Sequence, residues 1–347
     1  MISNKLFKKF CKERNIKNST SKGYASSIKH FTSFNNKPIE KLIKEALTEE
    51  EKNIPQKDRK IKKILIKYRN HLLESNMSTN TAKTYFTRIK TFYSHFEVEI
   101  PKLPTPKYNK EYETSYFDLP TKEHIKQALN ISTSEMKAVI LFMSSSGTSK
   151  KETLSLTIND FIKATSSYHN EDSIEQVISK LDKKDNIIPT FYLKRVKTDK
   201  YYHTFCSPEA TIAIIEYLKT RPNLKKQDKL FDLTNSLLMT RFQAINDHMD
   251  WGFKGKYRFF RSHTLRKFHA SNIGLSAENV DALQGRSKSQ VHEAYIKTNP
   301  KKLKELYIKA MKNVMINNPE DMDEKPIKQE ISININIFLA GKEYNIL

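Results

Sequence analysis

The most informative short element of the sequence is His263-Thr-Leu-Arg266. On a helix, residues three positions apart share a face, so the imidazole and the guanidinium would point toward one place. Arginine binds a phosphate through two parallel hydrogen bonds, and histidine exchanges a proton near neutral pH. The pair therefore suits chemistry on a phosphate ester, although the same spacing also occurs by chance on ordinary surface helices.

Three further elements accompany this pair in a fixed order. Gly147-Thr-Ser-Lys-Lys-Glu152 ends one helical pattern and begins another, Lys197 lies in a turn, and Gly285-Arg286 precedes Tyr295 by nine residues. Each element alone has an ordinary interpretation. Tyr295 could be a packing residue, Lys197 a turn lysine, and Glu152 an acid favoured by the dipole at the start of a helix.

Taken together, the ordered set resembles the tyrosine recombinases, also called phage integrases. Their order is Gly-x-Arg-x-x-Glu, a hairpin lysine, His-x-x-Arg, then Gly-His or Gly-Trp with a tyrosine nine residues later. The motifs cover about residues 145–300, and the resemblance extends over the chain as a helical core-binding domain followed by a catalytic domain. Leu283-Gln-Gly-Arg286 is most similar to integrases of archaea and their mobile elements.

The resemblance implies a role for each matching residue. Tyr295 would attack a DNA phosphodiester, form a covalent 3′-phosphotyrosyl bond and release a 5′-hydroxyl, so that neither ATP, metal nor another cofactor is needed. Arg266 would bind the non-bridging oxygens, and His263 would assist proton transfer or bind the phosphate. Lys197 would protonate the leaving oxygen, and Glu152 would buttress the site.

Two positions depart from the family pattern. Ser149 stands where the first arginine is expected, and Arg286 stands where histidine or tryptophan is usual. Lys150 or Lys151 could replace the missing charge, but lysine lacks the fork of a guanidinium. The hypothesis from the sequence is that Arg286 restores the guanidinium from a different backbone position.

The charge of the chain points to a polyanionic partner. Of 347 residues, 61 are Lys or Arg and 39 are Asp or Glu, which gives a formal net charge of +22. Residues 1–110 contain 25 of these basic residues against 10 acidic ones. A uniformly lysine-rich surface does not predict that skew, so nucleic acid is the expected partner.

Composition also excludes several classes of protein. Only 7 glycines argue against a glycine-rich nucleotide-binding chain, and two cysteines, Cys11 and Cys206, are too few for a disulfide framework or a cysteine zinc site. The N-terminus has no apolar signal core, and the longest apolar run, Ala138 to Met143, is too short to span a bilayer. We therefore expect a soluble cytoplasmic protein without a metal site or membrane contact.

The first hundred residues have helical periodicity. Apolar residues recur every three or four positions in 21–34, in 61–75 and after Thr79, which is the predicted N-cap of the third helix. The basic residues fall largely off these apolar faces, which fits either a solvated surface or a bundle that grips the DNA backbone. The predicted DNA-binding set is Lys60, Lys62, Lys63, Lys67, Arg69, Lys83, Arg88 and Lys90.

Prolines at 101, 104 and 106 predict an extended linker over 101–118, between a helical domain at 1–100 and a catalytic domain at 119–316. Helical patterns recur in the second domain at 121–130, 133–146, 234–248, 264–273, 276–283 and 300–316. Between them, 191–196 and 201–206 predict a hairpin whose turn contains Lys197. Because hairpin registers slip easily, Lys194 and Lys200 are rivals for the role of Lys197.

The tail, residues 317–347, changes character. Ile331, Ile333, Ile335 and Ile337 alternate with polar residues, which predicts a half-buried strand. Such a strand must pair, and we expect 331–338 to join the sheet of its own chain or that of a neighbouring protomer.

The sequence thus predicts a mainly α protein with a small antiparallel β-sheet (α+β), acting as a site-specific DNA recombinase. The resemblance implies two protomers on each double-stranded attachment site and four in the synaptic complex. Two alternatives stay open, a type IB topoisomerase-like strand relaxer and a DNA-binding regulator derived from an integrase, which Ser149 favours.

Overall fold

The computed structural model describes residues 5–107, 112–286 and 299–317, and the backbone of 336–339 and 342–345. Two compact units divide the chain, Met1–Glu113 and Thr114–Leu347. The boundary between them falls inside the segment that the prolines mark as a linker. Each unit has a hydrophobic core of its own.

The first unit is a bundle of helices. In chain order these are α1 (Lys5–Glu13), α2 (Asn18–Asn35), α3 (Ile39–Glu51), α4 (Lys60–Glu74) and α5 (Thr79–His95). Their apolar faces meet around the fully buried rings of Phe10, Phe31, Tyr68 and Phe92. The periodic segments of the sequence correspond to α2, α4 and α5, whereas α1 and α3 were not predicted.

One predicted cap is wrong by a residue. The N-cap of α5 is Ser78, whose hydroxyl accepts a hydrogen bond from the amide of Thr81 at 3.2 Å, and Thr79 is the first helical residue. Both residues are good capping types, so composition alone does not choose between them.

The second unit is mostly helical. Its helices are α6 (Lys122–Asn130), α7 (Ser134–Ser146), α8 (Lys150–Ser155), α9 (Ile158–Ala164), α10 (Ile174–Leu181), α11 (Pro208–Lys219), α12 (Asn235–His248), α13 (Ser262–Asn272), α14 (Ala277–Leu283) and α15 (Pro300–Ala310). Helix α7 contains the longest apolar run and is buried from Ala138 to Ser146, packed between α11 and α13. A helix that is apolar on all sides is expected to be buried in this way.

Short antiparallel hairpins complete the second unit. Strands β1 (Thr190–Lys194) and β2 (Tyr201–Phe205) pair with Thr190 opposite Phe205 and Lys194 opposite Tyr201. The expectation of a single small sheet is incomplete, because β3 (Phe253–Lys254) and β4 (Tyr257–Arg258) form another hairpin before α13. The overall prediction of a mainly α protein with a small antiparallel sheet is confirmed.

The tail contains β5 (Asn336–Leu339) and β6 (Lys342–Asn345), which pair antiparallel with each other. Within the described residues the strand pairs with the segment that follows it and not with β1 or β2, and pairing with a neighbouring protomer stays a prediction. Residues 331–335, where most of the alternating isoleucines lie, are outside the described residues.

The last residues of the predicted linker form a turn. Tyr116–Asp118 forms a 3-10 turn of the second unit, where the hydroxyl of Tyr116 donates to Oδ1 of Asn272 at 2.8 Å. In the described part of the chain, no helix combines the length and apolar character that crossing a membrane requires.

Candidate active site

Arg266 is a buried arginine of α13 in the second unit. It is only 7% exposed, and its two terminal nitrogens donate to the carbonyl oxygens of Gly147 at 2.6 Å and Gln284 at 2.9 Å. Glu152 Oε2 is 3.9 Å from Nη1. Burial lowers the pKa of Arg266 to about 10 against the raising effect of Glu152, so the guanidinium is still charged at neutral pH. A fixed cation thus joins three motifs that are far apart in sequence.

Gly147 ends α7 and makes this approach possible. Its φ is +65°, and a Cβ at this position would lie 2.5 Å from Nδ1 of His269. Only glycine meets both conditions, because other residues pay for a left-handed backbone and would collide with the imidazole. The glycine of the first motif is therefore needed to bring its carbonyl to Arg266.

Glu152 is a buried carboxylate that contacts both the start of α8 and Arg266. It is 3% exposed, and Oε2 accepts hydrogen bonds from the amide of Ser149 at 2.9 Å and the hydroxyl of Tyr202 at 3.5 Å. Burial, and next the charge of Glu152, raise the pKa of Tyr202. The carboxylate stabilises the start of α8 and compensates Arg266. Ser149 occupies the N-cap position of α8 and supplies no charge there.

His263 lies at the exposed start of α13, one turn before Arg266. The surrounding protein lowers its pKa by desolvation, and the nearby charges of Arg261, Lys267, Arg266 and Arg286 lower it further. The imidazole is therefore neutral at neutral pH, which leaves a ring nitrogen able to accept a proton.

A cavity of about 550 Å³ opens between α8, α12, α13 and the β3–β4 hairpin. His263, Arg266 and Ser149 contribute to its wall. Among the described residues, no Asp or Glu lines it, and its other charged lining residues are Lys150, Lys151, Lys256, Arg258 and Arg261. Burial lowers the pKa of Lys150, followed by the effect of Lys151. The cavity suits an anion.

Lys197 lies exposed in the turn between β1 and β2. The turn is closed by the amide of Arg195, which donates to the carbonyl of Lys200 at 2.7 Å. The rival Lys194 faces Oδ1 of Asp199 at 3.5 Å and the ring of Tyr201 at 5.6 Å. Lys197 does not belong to the described lining of the cavity beside Arg266, and its role stays a prediction.

Arg195 is a component that sequence reasoning missed. Its Nη1 donates to the carbonyl oxygen of Gln284 at 2.7 Å, the oxygen that also accepts from Arg266. The hairpin that carries Lys197 is therefore tied to the segment leading toward Tyr295. The partners are 89 residues apart, so no local pattern could have found this contact.

Arg286 has a different environment from the one expected. Its Nη1 lies 3.3 Å from Oδ1 of Asp281, its amide donates to the Asp281 carbonyl at 2.8 Å, and it does not line the cavity in the described part of the chain. Its charge still lowers the pKa of His263 and Arg266, so it lies in their neighbourhood. Asp281 thus compensates part of the charge of Arg286, and its replacement of the missing arginine stays a prediction. Tyr295 lies outside the described residues.

His269, one turn after Arg266, was also missed. It is fully buried, Nδ1 lies 3.0 Å from Nε2 of Gln284, and Nε2 has no partner among the described residues. Burial, and then the charges of Arg266 and Arg286, lower its pKa to about 3. A neutral imidazole thus fills the space behind Arg266.

The predicted DNA-binding residues of the first unit are not equivalent. On α4, Lys63 and Lys67 are exposed and Lys62 is half-buried. Lys60 Nζ lies 3.8 Å from Oε1 of Glu49. Lys83 is exposed near the start of α5. These lysines are accessible to a partner to different degrees.

Three of the predicted cations pack against their own unit. Arg69 is 8% exposed and donates to the carbonyl of Pro104, which fastens the proline-rich segment to α4. Arg88 donates to the carbonyl of Gly23 at 3.1 Å, and Lys90 lies 5.4 Å from the Phe86 ring. For Arg69 in particular, burial favours a structural role over contact with a phosphate.

Across the described residues, no group of three or more His, Cys, Asp or Glu side chains could hold a metal ion. No protein-family model and no curated protein matches this sequence.

Solved structures do match the fold. The chain is similar to the Tn1549 transposon integrase in complex with transposon right end DNA, at 13% identity over 88% of this chain and 98% of that chain, with a TM-score of 0.52. The same integrase in complex with circular intermediate DNA matches at 13% identity over 85% of this chain and 94% of that chain, with a TM-score of 0.50. XerH site-specific recombinase bound to difH substrate matches at 16% identity over 86% of this chain and 82% of that chain, with a TM-score of 0.49. The Tn1549 likenesses establish a shared fold.

Proposed function

We propose that this chain is a tyrosine-type site-specific DNA recombinase that acts through a covalent 3′-phosphotyrosyl intermediate. The observation that supports it most is the convergence on Arg266, where the carbonyls of Gly147 and Gln284 and the carboxylate of Glu152 surround one guanidinium. These residues come from three of the sequence motifs, and chance alone does not bring such segments together.

The proposed reaction uses only side chains of the protein. The phenol oxygen of Tyr295 bonds to the phosphorus, and its proton passes to the neutral His263. Arg266 binds a non-bridging oxygen and stabilises the charge that develops in the transition state. The bond to the 5′-oxygen breaks, and Lys197 gives that oxygen a proton. The phosphotyrosyl bond keeps the energy of the broken one, so the reverse sequence reseals the strand.

The proposed partner is double-stranded DNA that carries an attachment site. Exposed lysines on α4, such as Lys63 and Lys67, would contact phosphates and hold the duplex without reading its sequence. The DNA complexes of the Tn1549 integrase, whose fold this chain shares, support this choice of partner. Two protomers would occupy each site and four would form the synapse, in the cytoplasm.

Ser149 favours a second candidate function. With a serine where the recombinase motif has arginine, the chain could bind attachment-site DNA and regulate transcription without cutting it. The two candidates differ in strand cleavage, not in DNA binding.

Recombination between two plasmid-borne sites separates these candidates. A short direct repeat in the DNA flanking this gene would supply the sites, placed in the same orientation on one plasmid. We expect the wild-type chain to excise the intervening segment and Tyr295→Phe to excise none. A wild-type protein that binds the repeat with sequence preference but yields no excision product would support the regulator.

A further inference from the structure

The cavity beside Arg266 contains another arginine that no sequence motif singled out. Arg261 immediately precedes α13 and lines the cavity together with Ser149, His263 and Arg266. It is half-buried, and its guanidinium carbon lies 4.6 Å from the centre of the Tyr257 ring. The aromatic ring therefore holds the guanidinium in place.

Arg261 differs from the neighbouring arginines in what compensates its charge. Arg258 forms two hydrogen bonds with Asp247, at 2.7 and 2.9 Å, and Arg286 faces Asp281. In the described segments, no carboxylate lies within ion-pair distance of Arg261, and its Nε is inaccessible and without a hydrogen-bond partner. Burial lowers its pKa, as expected for a desolvated cation. Such a cation costs free energy that a bound anion would offset.

We propose that Arg261 is a phosphate-binding catalytic residue, supplying the guanidinium that Ser149 cannot supply. This assignment rests on the proposed function and deepens it. Arg261 and Arg266 would each bind a non-bridging oxygen of the same phosphodiester, within the cavity that His263 also lines. The replacement thus comes from two residues before the His-x-x-Arg motif, and neither from Arg286 nor from the motif around Ser149.

Lys150 is the competing candidate for this role. It lines the same cavity and is half-buried. An ammonium group is a point charge, however, and cannot bind two oxygens in the plane of a fork. Parallel substitution of Lys150 and Arg261 distinguishes them.

Orthovanadate, an analogue of a phosphodiester in its transition state, provides a test that needs no DNA sequence. Binding to the full-length chain is followed by vanadium NMR for the wild type and for Arg261→Gln, Lys150→Gln and Arg241→Gln. Arg241 pairs with Glu135 and lies outside the cavity lining, so it controls for the loss of one charge. We expect Arg261→Gln to weaken binding at least about tenfold and Arg241→Gln to change it less than about twofold.

A suppressor variant separates a direct contact from a folding defect. Restoring the motif arginine in the Ser149→Arg/Arg261→Gln double variant is expected to bring vanadate affinity back to within about threefold of the wild type. A merely unfolded Arg261→Gln protein would not regain binding, and thermal unfolding of each variant checks this directly.

Four outcomes overturn the assignment. These are wild-type chain that does not bind vanadate, unchanged binding by Arg261→Gln, equal losses in Arg261→Gln and Arg241→Gln, and a loss confined to Lys150→Gln. The proposed function is judged separately. If the vanadate results hold but DNA gives no Tyr295-dependent adduct, the recombinase proposal fails. If the adduct forms at the wild-type rate in Arg261→Gln, the inference alone fails.

Discussion

Lys63 and Lys67 stand exposed on α4, whereas Arg266 in the second unit is 7% exposed and bound by two backbone carbonyls. The lysines keep their hydration and their rotamer freedom, so each can add only a modest and salt-sensitive attraction to a polyanion. Arg266 has lost both, and its orientation is fixed before any ligand arrives. The net charge of +22 therefore includes both solvated, mobile cations and buried, oriented ones.

The largest effect is expected from replacing the fixed cation. Arg266→Lys keeps the charge but lacks the planar fork that binds Gly147 and Gln284 and still has donors for a phosphate, so we expect DNA cleavage by the full-length chain to fall about a thousandfold. Single-turnover cleavage assays measure this. Arg241→Lys, a matched change in the same unit but outside the cavity, should cleave within about twofold of the wild type. Equal rates for wild type and Arg266→Lys would contradict the assigned role.

The buried histidine behind Arg266 gives the next effect, on stability. Its pKa is lowered from 6.5 to about 3 in the folded chain, so between these values the unfolded chain binds more protons. Stability is therefore full above about pH 6.5 and falls on acidification, by up to about 1.4 kcal/mol per pH unit.

Denaturant unfolding at several pH values checks this dependence. His269→Gln should lose much of the slope below about pH 6.5, while His248→Gln, a change on the exposed end of α12, should leave it as in the wild type. If the slopes of His269→Gln and wild type coincide, the buried imidazole is not the source.

Replacing Arg195 tests whether the β1–β2 hairpin is positioned by its contact with the Gln284 carbonyl. Removing its hydrogen bond to the Gln284 carbonyl should release the hairpin and slow cleavage about tenfold, because Lys197 would be less well positioned. A DNA substrate with sulfur in place of the bridging 5′-oxygen has a leaving group that needs no proton. We therefore expect it to restore the rate of Arg195→Ala, as of Lys197→Ala. A defect that persists with sulfur would show that Arg195 acts otherwise.

The smallest effect is expected from replacing a single exposed lysine of α4. Lys67→Ala should weaken DNA binding a few-fold and reduce the slope of log affinity against log salt by about one, since one phosphate contact is lost. Arg69→Ala should instead lower the unfolding midpoint and leave the salt slope unchanged, because Arg69 holds the Pro104 carbonyl. Titrations at several salt concentrations measure both. A reduced slope in Arg69→Ala would break the distinction between exposed and buried cations.

Local patterns account for what the sequence predicted well. Amphipathic spacing predicted α2, α4 and α5, and two strand-like segments around a turn predicted the β1–β2 hairpin, because these features depend on near neighbours. Ser207 caps α11 in the same local way, since its hydroxyl accepts from the amide of Ala210 and proline follows at the first helical position. The short helix α1 and the β3–β4 hairpin have few residues with a clear period, so no pattern indicated them.

Contacts between distant segments account for what the sequence did not predict. Arg195 and Arg266 share the carbonyl of Gln284, and a backbone acceptor leaves no mark on residue type. Nothing in the sequence distinguishes Arg261 from the other arginines, whereas the structure shows that it lines the same cavity as His263. Arg286 is the candidate that the sequence favours, and only the structure shows that it faces Asp281 and that it is not among the described residues lining the cavity.

Covalent cleavage by Tyr295 is tested directly by trapping the DNA adduct. The full-length chain is incubated with duplex DNA that carries its attachment site and a nick near the cleavage position, then denatured and analysed by mass spectrometry. We expect a 3′-phosphate linked to Tyr295, a free 5′-hydroxyl on the released strand, and no adduct with Tyr295→Phe. DNA that is bound but never linked, or linked through another residue, would contradict the account.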